Sequence, residues 1–143
     1  TSNHGWDTVT HRSFLTGVIG EFQKQGIRTS VFVDPDVRMI EAAAATGTDR
    51  VELYTESYAA GYLADREKAI APFILAAEAA LKAGLGLNAG HDLNLDNLRY
   101  FARRIPNLLE VSIGHALIAD ALYFGLENTI QLYLRELKPW LPA

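Results

Sequence analysis

The chain has 143 residues, of which 49% are hydrophobic and 21% charged, with a formal net charge of −4 and no cysteine. This composition is typical of one globular domain with a sizeable core, and it excludes disulfides and thiolate metal sites. Acidic and basic residues are interspersed, so neither a nucleic-acid stripe nor a polybasic membrane patch is predicted. No apolar run approaches the ~18–20 residues of a membrane span, and the lack of cysteine favours a cytoplasmic location.

The chain opens with the sequence TSNHGWD, without an initiator methionine or a signal-peptide pattern. This polar, glycine-containing opening is typical of a loop. We therefore expect a preceding segment that this sequence does not include.

Hydrophobic periodicity next predicts one helix followed by four strand–helix units. The first helix covers residues 8–25 and ends at Gly26. The predicted strands are 29–33, 50–54, 86–88 and 109–113, and the helices after them are 34–47, 66–83, 95–103 and the closing pair 116–125 and 126–137. Residues 56–65 are predicted as a loop, where Tyr58 and Tyr62, with nearby Tyr54, would either flank a ligand or pack the loop down.

Alternating strands and helices imply parallel pairing with right-handed crossovers. An open doubly wound sheet is one possible architecture, but its usual glycine-rich first turn is absent. The other is a (β/α)8 barrel, which needs ~250 residues, so four units are about half of one. Half a barrel alone would leave two sheet edges unpaired. We predict that residues 1–143 are the C-terminal part of a single barrel domain.

Two Gly-His turns are the most informative motifs. Residues 88–92 (NAGHD) and 112–115 (SIGH) each join the end of a predicted strand to a helix, 24 residues apart. Glycine permits close approach of a ligand, a helix N-terminus offers free N–H groups to an anion, and histidine transfers protons near neutral pH. We predict that His91 and the Gly114-His115 pair face one phosphorylated ligand. The alternative is structural: His91 enters a helix that Asp92 or Asn94 caps, and Gly114 forms a tight turn.

Glu52 is the next candidate. In the strand 50–54, Val51 and Leu53 share one face, and Glu52 and Tyr54 share the other. A carboxylate that points into a barrel is costly unless it is paired or used, and this one lies near the carboxyl end of its strand. The catalytic interpretation is favoured over a structural ion pair. His4 and His11 are weaker candidates, and no metal-ligand spacing is present, so no metal site is predicted.

Four segments together resemble the pyridoxine 5′-phosphate synthase family: residues 1–7, 51–55 (VELYT), 87–93 (LNAGHDL) and 110–116 (EVSIGHA). Their order and spacing match along the whole chain, which corresponds to the family's C-terminal part. The resemblance implies a cofactor-free (β/α)8 barrel enzyme, usually an octamer. It would condense 3-amino-2-oxopropyl phosphate with 1-deoxy-D-xylulose 5-phosphate to give pyridoxine 5′-phosphate, inorganic phosphate and water.

The same resemblance assigns roles residue by residue. His91 matches the family's proton donor and Glu52 a transition-state-stabilising carboxylate. Gly114 and His115 match a phosphate-binding pair, and Thr1 a substrate-contacting threonine. Asp92 stands where some members have a substrate-binding glycine, which implies a backbone contact.

The sequence departs from the family pattern at two positions: Tyr54 replaces a histidine of some members, and Glu56 a glycine. The family's histidine and glutamate general bases lie in its N-terminal half and have no counterpart here. Two alternatives stay open, namely another phosphate-binding barrel isomerase or aldolase, and a non-enzymatic α/β module that binds a phosphorylated metabolite.

Overall fold

The computed structural model describes residues 2–138, which form four strands and six helices. The strands are β1 (Ser30–Val33), β2 (Arg50–Tyr54), β3 (Gly86–Gly90) and β4 (Leu108–Ser112). The helices are α1 (Arg12–Lys24), α2 (Val37–Ala44), α3 (Glu56–Lys82), α4 (Leu98–Arg104), α5 (His115–Phe124) and α6 (Leu126–Leu137). The predicted alternation of strands and helices is confirmed.

The four strands form one parallel sheet in the order β1-β2-β3-β4. A doubly wound sheet reverses its strand order at a switch point, and the described residues contain no such reversal. The register places Phe32, Glu52, Asn88 and Glu110 in one row across the sheet. Since side chains alternate along a strand, this whole row lies on one face.

The opposite face of the sheet carries the hydrophobic core. Its strand residues are at most 5% exposed, and they are Val31, Val33, Val51, Leu53, Leu87 and Ala89. They belong to one cluster with Ile40 of α2, Phe73 of α3 and Phe101 of α4. Burial of each large apolar side chain contributes about 1.5–3 kcal/mol. The helices therefore cover this face and leave the other face for polar groups.

The first helix starts later than predicted. Residues 8–11 form turns, and α1 begins at Arg12. The Asp7 carboxylate accepts hydrogen bonds from the N–H groups of Val9 (3.1 Å) and Thr10 (2.8 Å). This local hydrogen bonding favours a turn ahead of the helix.

The predicted loop at residues 56–65 is wrong. These residues are the first part of α3, which is kinked at Asp65, where φ is −160° and ψ is 92°. Tyr58 is fully buried against Phe73 and Phe101, and its hydroxyl donates to the Asn97 carbonyl oxygen at 2.7 Å. Packing of this tyrosine holds the segment as a helix. Among residues 2–138, none of the helices combines the length and apolar character that a bilayer crossing requires.

Candidate active site

A cavity of about 1020 Å³ opens at the carboxyl ends of the strands, on the face that the helices do not cover. It brings together five of the six residues to which the resemblance assigns roles: Glu52, His91, Asp92, Gly114 and His115. Thr1, the sixth candidate, lies outside the described residues, and its neighbour Ser2 lines the cavity. Both Gly-His turns therefore line one cavity, and that they face one phosphorylated ligand stays a prediction.

Glu52 lines this cavity from its place in the row between Phe32 and Asn88. Its carboxyl is half-buried, and burial raises its pKa above the usual value. The negative charge of Glu110 raises this pKa further, while a hydrogen bond with the Ser112 side chain opposes both effects. An ionised Glu52 is thus poorly solvated, and a cationic partner in the cavity would stabilise it.

Gly90 makes room for the Glu52 carboxylate. A Cβ atom at position 90 would lie 2.2 Å from Glu52 Oε1 and 3.1 Å from Ser112 Cβ. A side chain at position 90 would therefore displace the carboxylate. A glycine in this turn is predicted to permit close approach of a ligand, whereas Gly90 is approached by the side chain of Glu52 on the neighbouring strand.

His91 follows Gly90 and is held on two sides. Its Nδ1 atom lies 2.7 Å from Asp92 Oδ2, and its ring packs edge-on against Tyr54, with centroids 4.9 Å apart. A carboxylate can only accept, so this contact favours the tautomer with hydrogen on Nδ1. Nε2 is then the nitrogen left to exchange protons with a bound molecule.

The backbone turns sharply at the two residues after β3. His91 has a φ of 81° and Asp92 a φ of 55°, both in the left-handed region. Asn94 caps the next turn, because its side-chain oxygen accepts from the N–H groups of Asp96 (3.0 Å) and Asn97 (3.2 Å). Neither predicted cap is the N-cap residue of α4, which is Asn97. Asn94 caps the turn before that helix, and Asp92 contacts the His91 ring.

The second Gly-His turn opens α5. Gly114 is the N-cap residue, and the first helical bond runs from the Ile118 N–H to its carbonyl at 3.1 Å. The N–H groups at the start of a helix have no intrahelical acceptor. His115 and Ala116, in this first turn, line the cavity. The arrangement can bind an anion through backbone N–H groups and the helix dipole.

The segment before α1 contributes Ser2 to the lining of the cavity. The Trp6 N–H donates to the Phe32 carbonyl at 2.8 Å, and the Gly5 N–H donates to Asp34 Oδ1 at 3.1 Å. A Cβ atom on Gly5 would lie 2.4 Å from backbone atoms of Val33 and Asp34. Glycine at position 5 thus permits the contact that brings Ser2 to the cavity.

A polar network lies toward the amino ends of the strands on the same face. Arg50 donates to Asn88 at 3.1 Å and to Glu110 at 2.7 Å, and Arg28 reaches Glu110 at 3.2 Å. Arg28 precedes β1 and Glu110 is on β4, strands that a flat sheet would separate by about 14 Å (three spacings of ~4.8 Å). Their contact indicates that this face is concave.

Three residues that shape the site were not predicted from the sequence: Thr55, Gly90 in its spacing role, and Ser112. The face of Ser112 follows from strand alternation, because it is two residues beyond Glu110. Thr55 contacts residues 35 and 36 positions away, a separation that no local pattern encodes.

Within residues 2–138, no three His, Asp or Glu side chains converge as a metal site.

Comparison with known proteins identifies the family to which the chain belongs. The model of a family described as "Pyridoxal phosphate biosynthesis protein PdxJ" matches residues 1–139. This chain belongs to the PdxJ family. The resemblance deduced from four short segments is thereby confirmed.

Curated PdxJ relatives carry the name pyridoxine 5′-phosphate synthase. The relative from Cytophaga hutchinsonii is 66% identical over 138 residues, which cover 96% of this chain and 58% of the relative. The one from Flavobacterium johnsoniae is 57% identical over 138 residues, with the same 96% and 58% coverage. The one from Bacteroides fragilis is 65% identical over 133 residues, or 93% of this chain and 56% of the relative. The chain thus spans somewhat over half the length of these relatives.

Proposed function

We propose that the protein is a pyridoxine 5′-phosphate synthase, and that residues 1–143 form the C-terminal part of one (β/α)8 barrel. One observation carries this proposal: Glu52, His91 and the first turn of α5 face the same cavity at the carboxyl ends of parallel strands. Barrel enzymes place their catalytic groups at that end. The name and length of the PdxJ relatives agree with it.

Exposed apolar surface at both edges of the sheet supports the barrel. On α1, beside β1, Phe14 is 59% and Phe22 49% exposed. On α5, after β4, Leu122 is 82% and Tyr123 86% exposed. Large apolar side chains are seldom left in water at such density. Further strand–helix units at each edge would cover them and pair the free edges of β1 and β4.

The proposed reaction joins 3-amino-2-oxopropyl phosphate to 1-deoxy-D-xylulose 5-phosphate and releases inorganic phosphate and water. An amine and a ketone condense through a cationic imine, and ring closure then requires several proton transfers. The first-turn N–H groups of α5, with His115, would bind a substrate phosphate. The imine would lie near Glu52. Because burial disfavours the ionised form of this carboxyl, the positive charge of the imine would stabilise the carboxylate, and the carboxylate would stabilise the imine.

His91 would act as the general acid that protonates a departing hydroxyl, in the form that carries hydrogen on both ring nitrogens. Asp92 holds its Nδ1, so Nε2 would deliver the proton. The family's two general bases would come from the sequence that the longer relatives have beyond this match. We also propose a cytoplasmic homo-oligomer, an octamer by the family resemblance, and phosphorylated small molecules as the binding partners.

The test is turnover by the purified full-length protein supplied with both substrates, followed as pyridoxine 5′-phosphate by chromatography and as released phosphate. We expect product from wild type, and a loss of about 10²–10⁴-fold in His91→Ala with folding and phosphate binding retained. His11→Ala is the matched control, because His11 contacts Trp6 outside this cavity, and its activity should stay within about twofold. Near-normal turnover by His91→Ala would remove His91 from the mechanism. Turnover of a different sugar phosphate alone would favour another barrel enzyme.

A further inference from the structure

Thr55 is a buried threonine whose hydroxyl does not make the capping hydrogen bond that its position in the chain predicts. It follows β2 directly and is the N-cap residue of α3. Threonine at an N-cap usually accepts a hydrogen bond from the first turn of its own helix. Here the side chain makes no capping bond, although the residue is 0% exposed.

The hydroxyl is directed instead at the end of the neighbouring strand. Thr55 Oγ1 donates to the Gly90 carbonyl at 2.8 Å and also contacts the His91 carbonyl. The Thr55 N–H donates to the same Gly90 carbonyl at 3.0 Å. One residue of β2–α3 therefore fixes two consecutive carbonyl groups of the β3–α4 turn.

These carbonyl groups belong to a turn whose backbone conformation is unfavourable. His91 has a φ of 81° and Asp92 a φ of 55°, and two successive non-glycine residues seldom adopt this conformation. Loss of the hydroxyl would leave the His91 carbonyl without this contact and the Gly90 carbonyl with the Thr55 N–H alone, and the turn would be free to relax. The His91 ring would then leave its place against Tyr54 and Asp92.

We propose that Thr55 is a positioning residue for His91: its hydroxyl holds the strained turn that aims the imidazole into the cavity. This inference rests on the proposed function only for its kinetic consequence. Thr55 does not line the cavity, so its removal should change the chemical step and leave substrate binding nearly unchanged.

The test compares Thr55→Val and Thr55→Ala, which lack the hydroxyl, with Thr55→Ser, which keeps it. In the full-length protein we expect kcat to fall by about 10- to 100-fold in both hydroxyl-free variants, with KM within about twofold, since small misplacement of a catalytic group costs this much. Thr55→Ser should recover kcat to within about threefold of wild type. Thr46→Val is the matched control, because Thr46 is also buried and donates to a carbonyl, that of Ala43 at 2.7 Å, after α2. Its kcat should be unchanged.

A second readout does not depend on the reaction. The Tyr54 ring shifts the NMR resonances of the His91 imidazole, since the ring centroids are 4.9 Å apart. This shift should disappear in Thr55→Val or Thr55→Ala and persist in Thr55→Ser. If it disappears while wild type fails to turn over the two substrates, the positioning inference holds and the proposed function is wrong. If both hydroxyl-free variants keep the wild-type kcat and the His91 shift, the positioning inference is overturned. A kcat loss equal in all three variants would also overturn it.

Discussion

The charge state of Glu52 depends on three features of its surroundings. Desolvation is the largest cause of its raised pKa, the charge of Glu110 adds to it, and Ser112 opposes both. A carboxyl with a raised folded-state pKa contributes its stability below its ordinary pKa, and this contribution is lost as pH rises through the folded-state value. Ionised Glu52 therefore costs stability at neutral pH in the empty site.

The first prediction follows for Glu52→Gln, which cannot ionise. The variant should be more stable than wild type at pH 7, and this advantage should shrink or vanish near pH 4, where wild-type Glu52 is largely protonated. Urea unfolding of the full-length protein at both pH values measures it. The same variant should lose about 10²–10³-fold in kcat, because a neutral amide stabilises a cation poorly. An equal stability difference at both pH values would contradict the assigned pKa direction.

The spacing role of Gly90 gives a second prediction at this scale. Gly90→Ala places a Cβ atom 2.2 Å from Glu52 Oε1, and we expect the free energy of unfolding to fall by about 1–3 kcal/mol. Glu52→Ala in the same chain should restore part of this loss, which a double-mutant cycle measures.

Gly17→Ala is the control for that substitution. Gly17 lies on an exposed part of α1, and nothing is within 4 Å of its added Cβ atom. Alanine there should stabilise the helix by about 0.5–1 kcal/mol. Purely additive effects of Gly90→Ala and Glu52→Ala would show that the two side chains do not compete for space.

The turn between β3 and α4 depends on the backbone conformation of Asp92. Asp92 has a φ of 55° and a side chain that contacts the His91 ring. Asp92→Gly and Asp92→Ala both remove the carboxylate, but only glycine adopts this φ without steric cost. Thermal or urea unfolding should show Asp92→Ala to be about 1 kcal/mol less stable than Asp92→Gly. Equal stability of the two variants would mean that the backbone at residue 92 is not held in this conformation.

Elements were predictable where a single periodicity governed the segment. The strand at residues 50–54 has the predicted bounds. Val51 and Leu53, on the face that the helices cover, alternate with polar residues on the face that lines the site. The helical start of α3 was not, because Gly61 and clustered tyrosines resemble a loop. What makes it helical is Tyr58, whose burial against Phe101 joins residues far apart in sequence.

The same distinction holds for the site. Glu52 and the two Gly-His turns were found from the sequence, because each has a local cause: strand alternation or a strand–helix junction. The left-handed turn at residues 91–92 and its contact with Thr55 were not, since the contact joins neighbouring strands 35 or more residues apart. Tertiary hydrogen bonds of this kind leave no periodic trace.

At the scale of the whole molecule, one face of the sheet builds the core and the other builds the site. On the concave face, the network of Arg28, Arg50 and Glu110 lies toward the amino ends of the strands, and the cavity lies at their carboxyl ends. The net charge of −4 would give no overall attraction for the proposed phosphorylated substrates. Their binding would depend on local groups, and we propose the first turn of α5 and His115 as the chief ones.

The position of a bound substrate phosphate is the decisive measurement for the proposed site. A crystal structure of the full-length protein with 3-amino-2-oxopropyl phosphate would locate it. We expect the phosphate at the N–H groups of the first turn of α5, within hydrogen-bond distance, with the rest of the molecule between His91 and Glu52. A substrate phosphate bound elsewhere, with His91 and Glu52 out of reach of the ligand, would contradict it.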